Sequence, residues 1–290
     1  MSKDAPAIVA PIGPDDVGVV ASFLHDHLNP RVGTQAWEAA MRAPWQNDPP
    51  NHGYCLRVGD RIVGAYLALY ATRMVEGEPE RVCNLAAWSV LQEYRFSSVR
   101  LLRALLAQDG YHFTDLSPSG SVIALNQRLG FQFLDTSTAL MPNVLWPTWP
   151  GAGAITAEVS QLQATLRGAD LEIYRDHALA PAAHHLLLTG SGEGYCYVIF
   201  RRDRRRNLPV FANLLYVSNG PLLVQLRRQF ARYLLVHHRL LGTLAELRVV
   251  GERIGPSVMM RSPRRKMFRS DSLRPEHIDY LYSELVAIAW

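Results

Sequence analysis

Two residues in the stretch Tyr111–Leu116 suggest proton chemistry, His112 and Asp115. A free imidazole titrates near ~6.5 and can take a proton from an amine. Asp115 can orient such an imidazole or hold a cationic acceptor. The stretch reads as a strand. Alternation then puts His112 and Thr114 on one face, and Tyr111, Phe113 and Asp115 on the other, so the two do not form an adjacent pair. Plainer readings exist for both. His112 suits a half-buried strand position, and Asp115 in Asp115-Leu116-Ser117-Pro118 can cap a turn. A second stretch, Tyr94-Arg95-Phe96-Ser97-Ser98-Val99-Arg100, follows an apolar strand and opens a helix. Unpaired N–H donors and the helix dipole both favour an anion at such a place.

Other candidate groups are weaker. Cys55, Cys83 and Cys196 lie in apolar, strand-like runs and read as buried free thiols, which fits a reducing compartment. No Cys-x-x-Cys exists, and neighbours on a strand point apart, so neither His184-His185 nor His237-His238 reads as a metal site. No metal is expected. Arg201–Arg206 and Arg261–Arg269 read as solvated surface or, more sharply, as docking patches for an anionic partner; for Arg201–Arg206 the candidates are an acidic acyl carrier protein, a polyanion or RNA. Aromatic residues are sparse there, which disfavours nucleic acid.

The 290 residues carry a net charge of +4 and are 48% hydrophobic, enough for one large globular domain or two ordinary ones. The N-terminal Met-Ser-Lys-Asp lacks an apolar signal core, and no apolar run nears the ~20 residues that cross a bilayer. A soluble, cytoplasmic protein is expected.

The elements that must position the candidate groups alternate between β and α. A short strand at Ile8–Val9 precedes a helix bearing Val17, Val20, Leu24 and Leu28 on one face, and a second helix follows Thr34. Tyr54–Val58 and Arg61–Tyr70 form a hairpin across Gly59-Asp60, and Arg81–Val90 is the next strand. Ser97 or Ser98 caps a helix with Val99, Leu102, Leu105 and Leu106 on its face. Strand Tyr111–Leu116, helix Val122–Leu129 and a strand or pair of strands at Gln132–Leu140 follow. Met141–Gly153, rich in Pro, Gly and Trp, reads as a linker packed onto the protein. Beyond it we expect a helix at Ala157–Leu166 and strands at Leu171–Tyr174, Gly194–Arg202, Val210–Val217 and Leu244–Val250. A long helix from Pro221 and a final helix from Pro275 through Val286 complete the reading.

The halves look alike. Gly53-Tyr54-Cys55 and Gly194-Tyr195-Cys196 each begin a strand, and Asn84-Leu85 and Asn213-Leu214 each lie on a later one. The expected organisation is two α/β units, 1–142 and 155–290, joined by 143–154.

The first half, ending in Asn126-Gln127-Arg128-Leu129-Gly130-Phe131, resembles the GNAT superfamily of acyl-CoA-dependent N-acyltransferases over roughly Ile8–Leu140. The resemblance implies a mixed α+β sheet whose fourth and fifth strands splay apart around the pantetheine of acetyl-CoA or another acyl-CoA. It implies cosubstrate contacts from Trp88 and Val90 on the fourth strand and from Arg95, Phe96, Ser97, Ser98, Val99 and Arg100 in the loop and helix start. Arg95 matches the arginine of the superfamily's Arg-x-x-Gly-x-Gly/Ala loop, while Ser98 and Arg100 stand where its small residues usually stand.

Asn126 takes the place of a tyrosine that often acts as general acid, and the fourth strand offers Asn84 and Ser89 but no carboxylate. The implied catalytic set is therefore His112, Asp115, Asn84 and Asn126, acting on a small-molecule or peptide amine. The alternatives are a non-catalytic scaffold of the same fold, or transfer from a carrier-protein thioester or aminoacyl-tRNA. In the second half the loop Val217–Leu223 has one glycine and Pro221, which removes an N–H, so that half reads as a copy that binds no CoA.

Overall fold

A computed structural model of the chain describes residues 6–46, 48–148, 153–192, 194–205 and 208–289. Its strands run in chain order as β1 (Ile8–Pro11), β2 (Gly53–Val58), β3 (Arg61–Val75), β4 (Glu78–Val90), β5 (His112–Asp115), β6 (Gln132–Phe133) and β7 (Thr138–Pro142). After them come β8 (Ala154–Thr156), β9 (His184–Thr189), β10 (Tyr195–Arg205), β11 (Leu208–Val217), β12 (Gly242–Glu246), β13 (Val258–Met259) and β14 (Met267–Arg269). The helices are α1 (Val17–His27), α2 (Thr34–Met41), α3 (Ser98–Leu106), α4 (Gly120–Arg128) and α5 (Val159–Thr165), then α6 (Gly168–His177), α7 (Gly220–Gln225), α8 (Arg227–His238), α9 (Leu247–Val250) and α10 (Glu284–Ala287).

The strands form two seven-stranded mixed sheets of the same plan, ordered β1-β2-β3-β4-β5-β14-β6 and β8-β9-β10-β11-β12-β7-β13. The chain divides accordingly. The first unit takes the chain up to Leu134, then Lys266–Ile278 and the stretch from Tyr282; the second takes Asp135–Arg265 and Asp279–Leu281. Each sheet thus contains one strand from the other half of the sequence. β7 lies in the second sheet, antiparallel to β12, and β14 lies in the first, between β5 and β6. The expected boundaries do not coincide with this division, because strand pairing fixes both strands and a linear reading of composition cannot see it.

In each sheet the fourth and fifth strands are parallel and soon part. β4 meets β5 only at Val82↔His112, Cys83↔Phe113 and Asn84↔Thr114, although β4 continues to Val90. β11 meets β12 only from Phe211↔Gly242 to Asn213↔Leu244. Both fourth strands also bulge just beyond the parting. Ala87 is passed over between Leu67↔Ala86 and Tyr66↔Trp88, and Leu215 between Phe200↔Leu214 and Ile199↔Tyr216. Ala87 has φ +51°, a left-handed conformation that costs an L-residue about 1 kcal/mol.

Cores form where apolar faces close. In the first unit α3 packs on β2 and β3, and its Leu101, Leu102 and Leu105 are fully buried beside Leu56, Val63 and Leu85. In the second, Leu223 of α7 and Phe230 and Leu234 of α8 pack against Leu186, Val198, Phe200 and Leu214. Burying one such leucine contributes about 1.5–3 kcal/mol.

Several local expectations are corrected. Leu171–Tyr174 lies in α6, whose Tyr174 and His177 are buried three residues apart, a helical spacing; a four-residue apolar window does not distinguish the two periods. Leu244–Val250 divides into the end of β12 and α9. The long helix from Pro221 is α7 and α8, broken at Leu226, and the final helix shrinks to a 3-10 turn at Pro275–His277 and α10. The Gly-Tyr-Cys pair is not an equivalent repeat: Gly53 opens β2, second in its sheet, while Tyr195 opens β10, third in its sheet. Asn84-Leu85 and Asn213-Leu214 do share the fourth strand. Of the expected linker, Trp146 packs against the second core, and residues 149–152 lie outside the described ones.

Candidate active site

The parting of β4 and β5 opens a cleft of about 670 Å³. Tyr66 of β3 and Leu85, Ala87, Trp88, Ser89 and Val90 of β4 form one side. Arg95 and Ser98 stand after β4; Asp115 and the following turn with the start of α4 line the rest, with His27–Asn29 at the end of α1. The bulge turns the strand's face here: Trp88 stacks on Tyr66 with ring centroids 4.5 Å apart and planes 8° from parallel.

Asp115 ends β5 and is 4% exposed. Asn126 Nδ2 of α4 donates to its Oδ2 at 2.8 Å, and the Ser117 backbone N–H also donates to the carboxylate. Burial, and next the nearby Glu284 carboxylate, push the Asp115 carboxyl up to about 7, against the lowering effect of those two donors. A carboxyl with that value exchanges its proton readily near neutrality.

Asn84 is buried and fully engaged: Nδ2 donates to Thr114 Oγ1 at 3.1 Å, and Oδ1 accepts the Glu284 N–H at 3.1 Å. It holds the junction of the two strands behind the cleft. His112 stands elsewhere. Its Nε2 is 2.8 Å from Glu80 Oε2 and its Nδ1 2.8 Å from Ser270 Oγ, beside a separate depression of about 350 Å³. The structure thus brings Asp115 and Asn126 together and leaves His112 apart, at the paired end of β5.

Of the residues expected to hold the cosubstrate, Trp88, Val90, Arg95 and Ser98 border the cleft. Ser97 and Val99 are half-buried, Phe96 is fully exposed at 102%, and Arg100 turns away to donate to Ala7 O at 2.7 Å. Ser97, the N-cap of α3, makes no side-chain cap bond, and Ser98 Oγ instead donates to Arg95 O at 2.6 Å. A 3-10 helix at Gln92–Ser97 runs straight into α3 and the Ser98 N–H donates to Arg95 O, so what this loop offers an anion is the Arg95 charge rather than an open helix start. Among the described residues no group of three or more His, Cys, Asp or Glu is placed to hold a metal.

The second unit differs at the matching places. Asn219 Oδ1 caps α7 by accepting the Leu222 N–H at 3.1 Å, and a Cβ on Gly220 would meet Val250 O at 1.9 Å. At the end of β12, Glu246 accepts from the hydroxyl of the fully buried Tyr280. Arg202 and Arg204, in the arginine run, are exposed, while Arg201 is buried; Arg206 lies outside the described residues.

Three features of the cleft were not read from sequence. Tyr66 carries no local signal, since Ile62–Ala71 of β3 is an unbroken run of apolar residues with one glycine. The conformation of Ala87 has none either. Glu284 did leave one: it is the only charged residue in the apolar run Leu281–Ile288.

Solved structures align with nearly the whole chain. A GCN5-related N-acetyltransferase from Anabaena variabilis matches 91% of this chain over 72% of its own, with a TM-score of 0.57 and 14% identity. The fold decides the assignment. The chain has the fold of the GCN5-related N-acetyltransferases. A second such enzyme, from Kribbella flavida, gives a TM-score of 0.54 at 14% identity over 91% of this chain and 70% of its own. An Enterococcus faecalis protein of unknown function gives 0.57 at 11% identity, over 91% and 72%. No protein-family model and no curated protein matches the sequence. Within this fold the cleft of the first unit lies where β4 and β5 part. Among the described residues no helix is long and apolar enough to cross a membrane.

Proposed function

We propose that the first unit is an N-acyltransferase that takes an acyl group, acetyl in the simplest case, from an acyl-CoA to an amine. The observation that carries this reading is Asp115, a buried carboxyl held by Asn126 at a cleft between splayed strands. The donor set fits the cosubstrate. Arg95 offers positive charge for its phosphates, and β4 beyond Asn84 offers backbone without a β5 partner. The acceptor is a small molecule or peptide bearing an amine.

The chain's own residues then divide the work. Asp115 takes the proton that the amine nitrogen loses as the new C–N bond forms and the C–S bond breaks. Asn126 orients that carboxylate. Tyr66 lines the same cleft, and burial with the nearby Asp115 charge raises its phenol well above the usual value, so it stays protonated and can offer a hydrogen bond to the departing thiolate, which takes its proton from solvent. The N-terminal side of the cleft positions the reactants, which is the larger contribution when a thiolate leaves.

Kinetics with acetyl-CoA and an amine panel, alongside calorimetry, test the reading. Asp115→Asn is expected to lower kcat by at least ~10²-fold while acyl-CoA affinity stays unchanged, the low end for a general base. His112→Ala, outside the cleft, is expected to retain wild-type turnover. Full activity in Asp115→Asn, or no acyl-CoA binding by the wild type, would sink the proposal.

A further inference from the structure

One end of the second sheet gathers charge that the cleft does not use. Asp203, Phe211, Gly242 and Pro142 lie abreast there, across β10, β11, β12 and β7. Around that row stand the β10–β11 hairpin, the turn that leads from α8 into β12, and the segment that leaves β7. The three connections are tied together. The Leu241 N–H donates to Val210 O at 2.7 Å, the Asn143 N–H donates to Leu241 O at 2.9 Å, and Asn143 Nδ2 donates to Leu240 O at 3.0 Å. Arg202, Arg204 and Arg239 are exposed at this end, and so are Leu145 at 67%, Leu241 at 58% and Val144 at 39%.

The acid inside the arginine run is engaged within the fold. Asp203 is 3% exposed; Arg264 Nη1 reaches its Oδ1 at 3.0 Å, and Arg264 Nη2 donates to Arg204 O at 3.2 Å. The two arginine clusters of the sequence thus meet, and the second neutralises the carboxylate of the first. No other Asp or Glu occurs in residues 201–210, 239–243 or 142–148. Among the described residues Arg202, Arg204 and Arg239 form no ion pair with a carboxylate. Arg202 also opposes protonation of His184 and His238, which places its charge beside the end of α8.

Guanidiniums interleaved with exposed aliphatic side chains match the interface of a bilayer, where phosphates pair with arginine and apolar side chains enter the acyl boundary. We propose that this end of the second unit docks on an anionic phospholipid surface, with Arg202, Arg204 and Arg239 on headgroup phosphates and Val144, Leu145 and Leu241 inserted between them. An acidic protein helix is the competing partner, and it needs a groove to lie in. The depression of about 270 Å³ beside α8 is lined by none of these side chains. A plane, by contrast, meets projecting connections together, and the aliphatic residues stand on two of them.

Co-sedimentation of the full-length protein with phosphatidylcholine vesicles, with and without phosphatidylglycerol, tests the surface. Binding to the anionic vesicles is expected to weaken as salt is raised and to exceed binding to phosphatidylcholine alone by at least ~10-fold. Arg202→Gln with Arg204→Gln is expected to lower it by at least ~10-fold. Leu145→Ser with Leu241→Ser is expected to lower it by at least ~10-fold while the salt dependence persists. Arg167→Gln with Arg253→Gln removes the same charge away from this end: the Arg167 N–H meets the Tyr195 hydroxyl at the start of β10, and Arg253 follows α9. That pair is expected to bind within ~2-fold of the wild type. Transfer to a soluble amine is expected to be unchanged in every variant, so a failure of docking and a failure of the proposed function are read separately.

No binding to anionic vesicles, equal losses in the two arginine pairs, or wild-type binding by the leucine pair overturns the proposal. So does binding to heparin or to an acidic acyl carrier protein that Arg202→Gln with Arg204→Gln abolishes while vesicles stay unbound. If a variant does not fold, Leu145→Cys carrying a polarity-sensitive fluorophore decides, because Cys55, Cys83 and Cys196 are buried and escape labelling. A blue shift on anionic vesicles is expected, and an unshifted spectrum overturns the proposal equally.

Discussion

A carboxyl with a raised value also has a consequence for stability. In an unfolded chain Asp titrates near ~3.9, whereas Asp115 in the fold is pushed up to about 7. Between those values the folded state binds a proton that the unfolded state lacks. The contribution is therefore fully present below about pH 4 and is lost as pH rises through about 7. Asp115→Asn removes the cost of ionising in place and keeps an oxygen for Asn126 Nδ2. We expect this variant to be more stable than the wild type at pH 8 by about 1–3 kcal/mol, with the gap closing toward pH 5. Urea midpoints at both pH values measure it. The half-buried His185 and His238, both pushed down to about 4, act with the opposite sign, but they are common to both proteins and cancel in the difference. A wild type as stable as the variant at pH 8 would show that Asp115 is not strained by ionisation. At this scale the sequence disclosed Asp115, Asn126 and the loop residues, because each sits at a fixed distance from a strand or helix end. It did not disclose Tyr66 or Glu284 as neighbours, because their meeting depends on tertiary packing and not on spacing.

Among the elements, the two helix starts that follow the splayed strands show how one fold is used differently. α3 continues a 3-10 helix at Gln92–Ser97, with Arg95 at the cleft; α7 begins at Asn219, whose side chain already occupies the acceptor position. An anion at α7 would have to displace Asn219, and that helix is only six residues long. We expect Arg95→Glu to weaken acyl-CoA binding by at least ~10-fold, since it removes one charge-assisted contact and adds a repulsion. Asn219→Ala should leave acyl-CoA binding unchanged and instead lower stability by about 0.5–2 kcal/mol, the value of an N-cap. Calorimetry and thermal unfolding of the two variants read this contrast, and equal losses of affinity would refute a single site in the first unit. Element types with a long period were legible: β2, β3, β4, α3 and α8 fall where alternation and helical spacing put them. Short elements were not. α6 passed for a strand because only four of its residues are apolar in sequence, and β14 has three residues whose partners lie over 130 positions earlier.

For the whole molecule, the exchanged strands decide what can fold by itself. A cut at 142/143, where composition suggests a domain boundary, leaves 1–142 with β7 but without β14, and 143–290 with β14 but without β7. In the first sheet β14 is the only strand between β5 and β6, and in the second β7 is the only one between β12 and β13. Each fragment would expose an open strand edge where its sheet needs a partner, together with the apolar faces that Met267 and Phe268, or Ala139 and Met141, normally cover. The first fragment would also lack Glu284, and with it the second carboxylate beside the cleft. Neither fragment is therefore expected to unfold cooperatively alone, while an equimolar mixture should recover the secondary structure and the urea transition of the intact chain. Circular dichroism and size-exclusion chromatography of the separate and mixed fragments test this. A fragment 1–142 that is monomeric, unfolds in one sharp transition and binds acyl-CoA as the intact chain does would show that β14 is dispensable, and that the first sheet draws its stability from β1 to β5 and α3 alone.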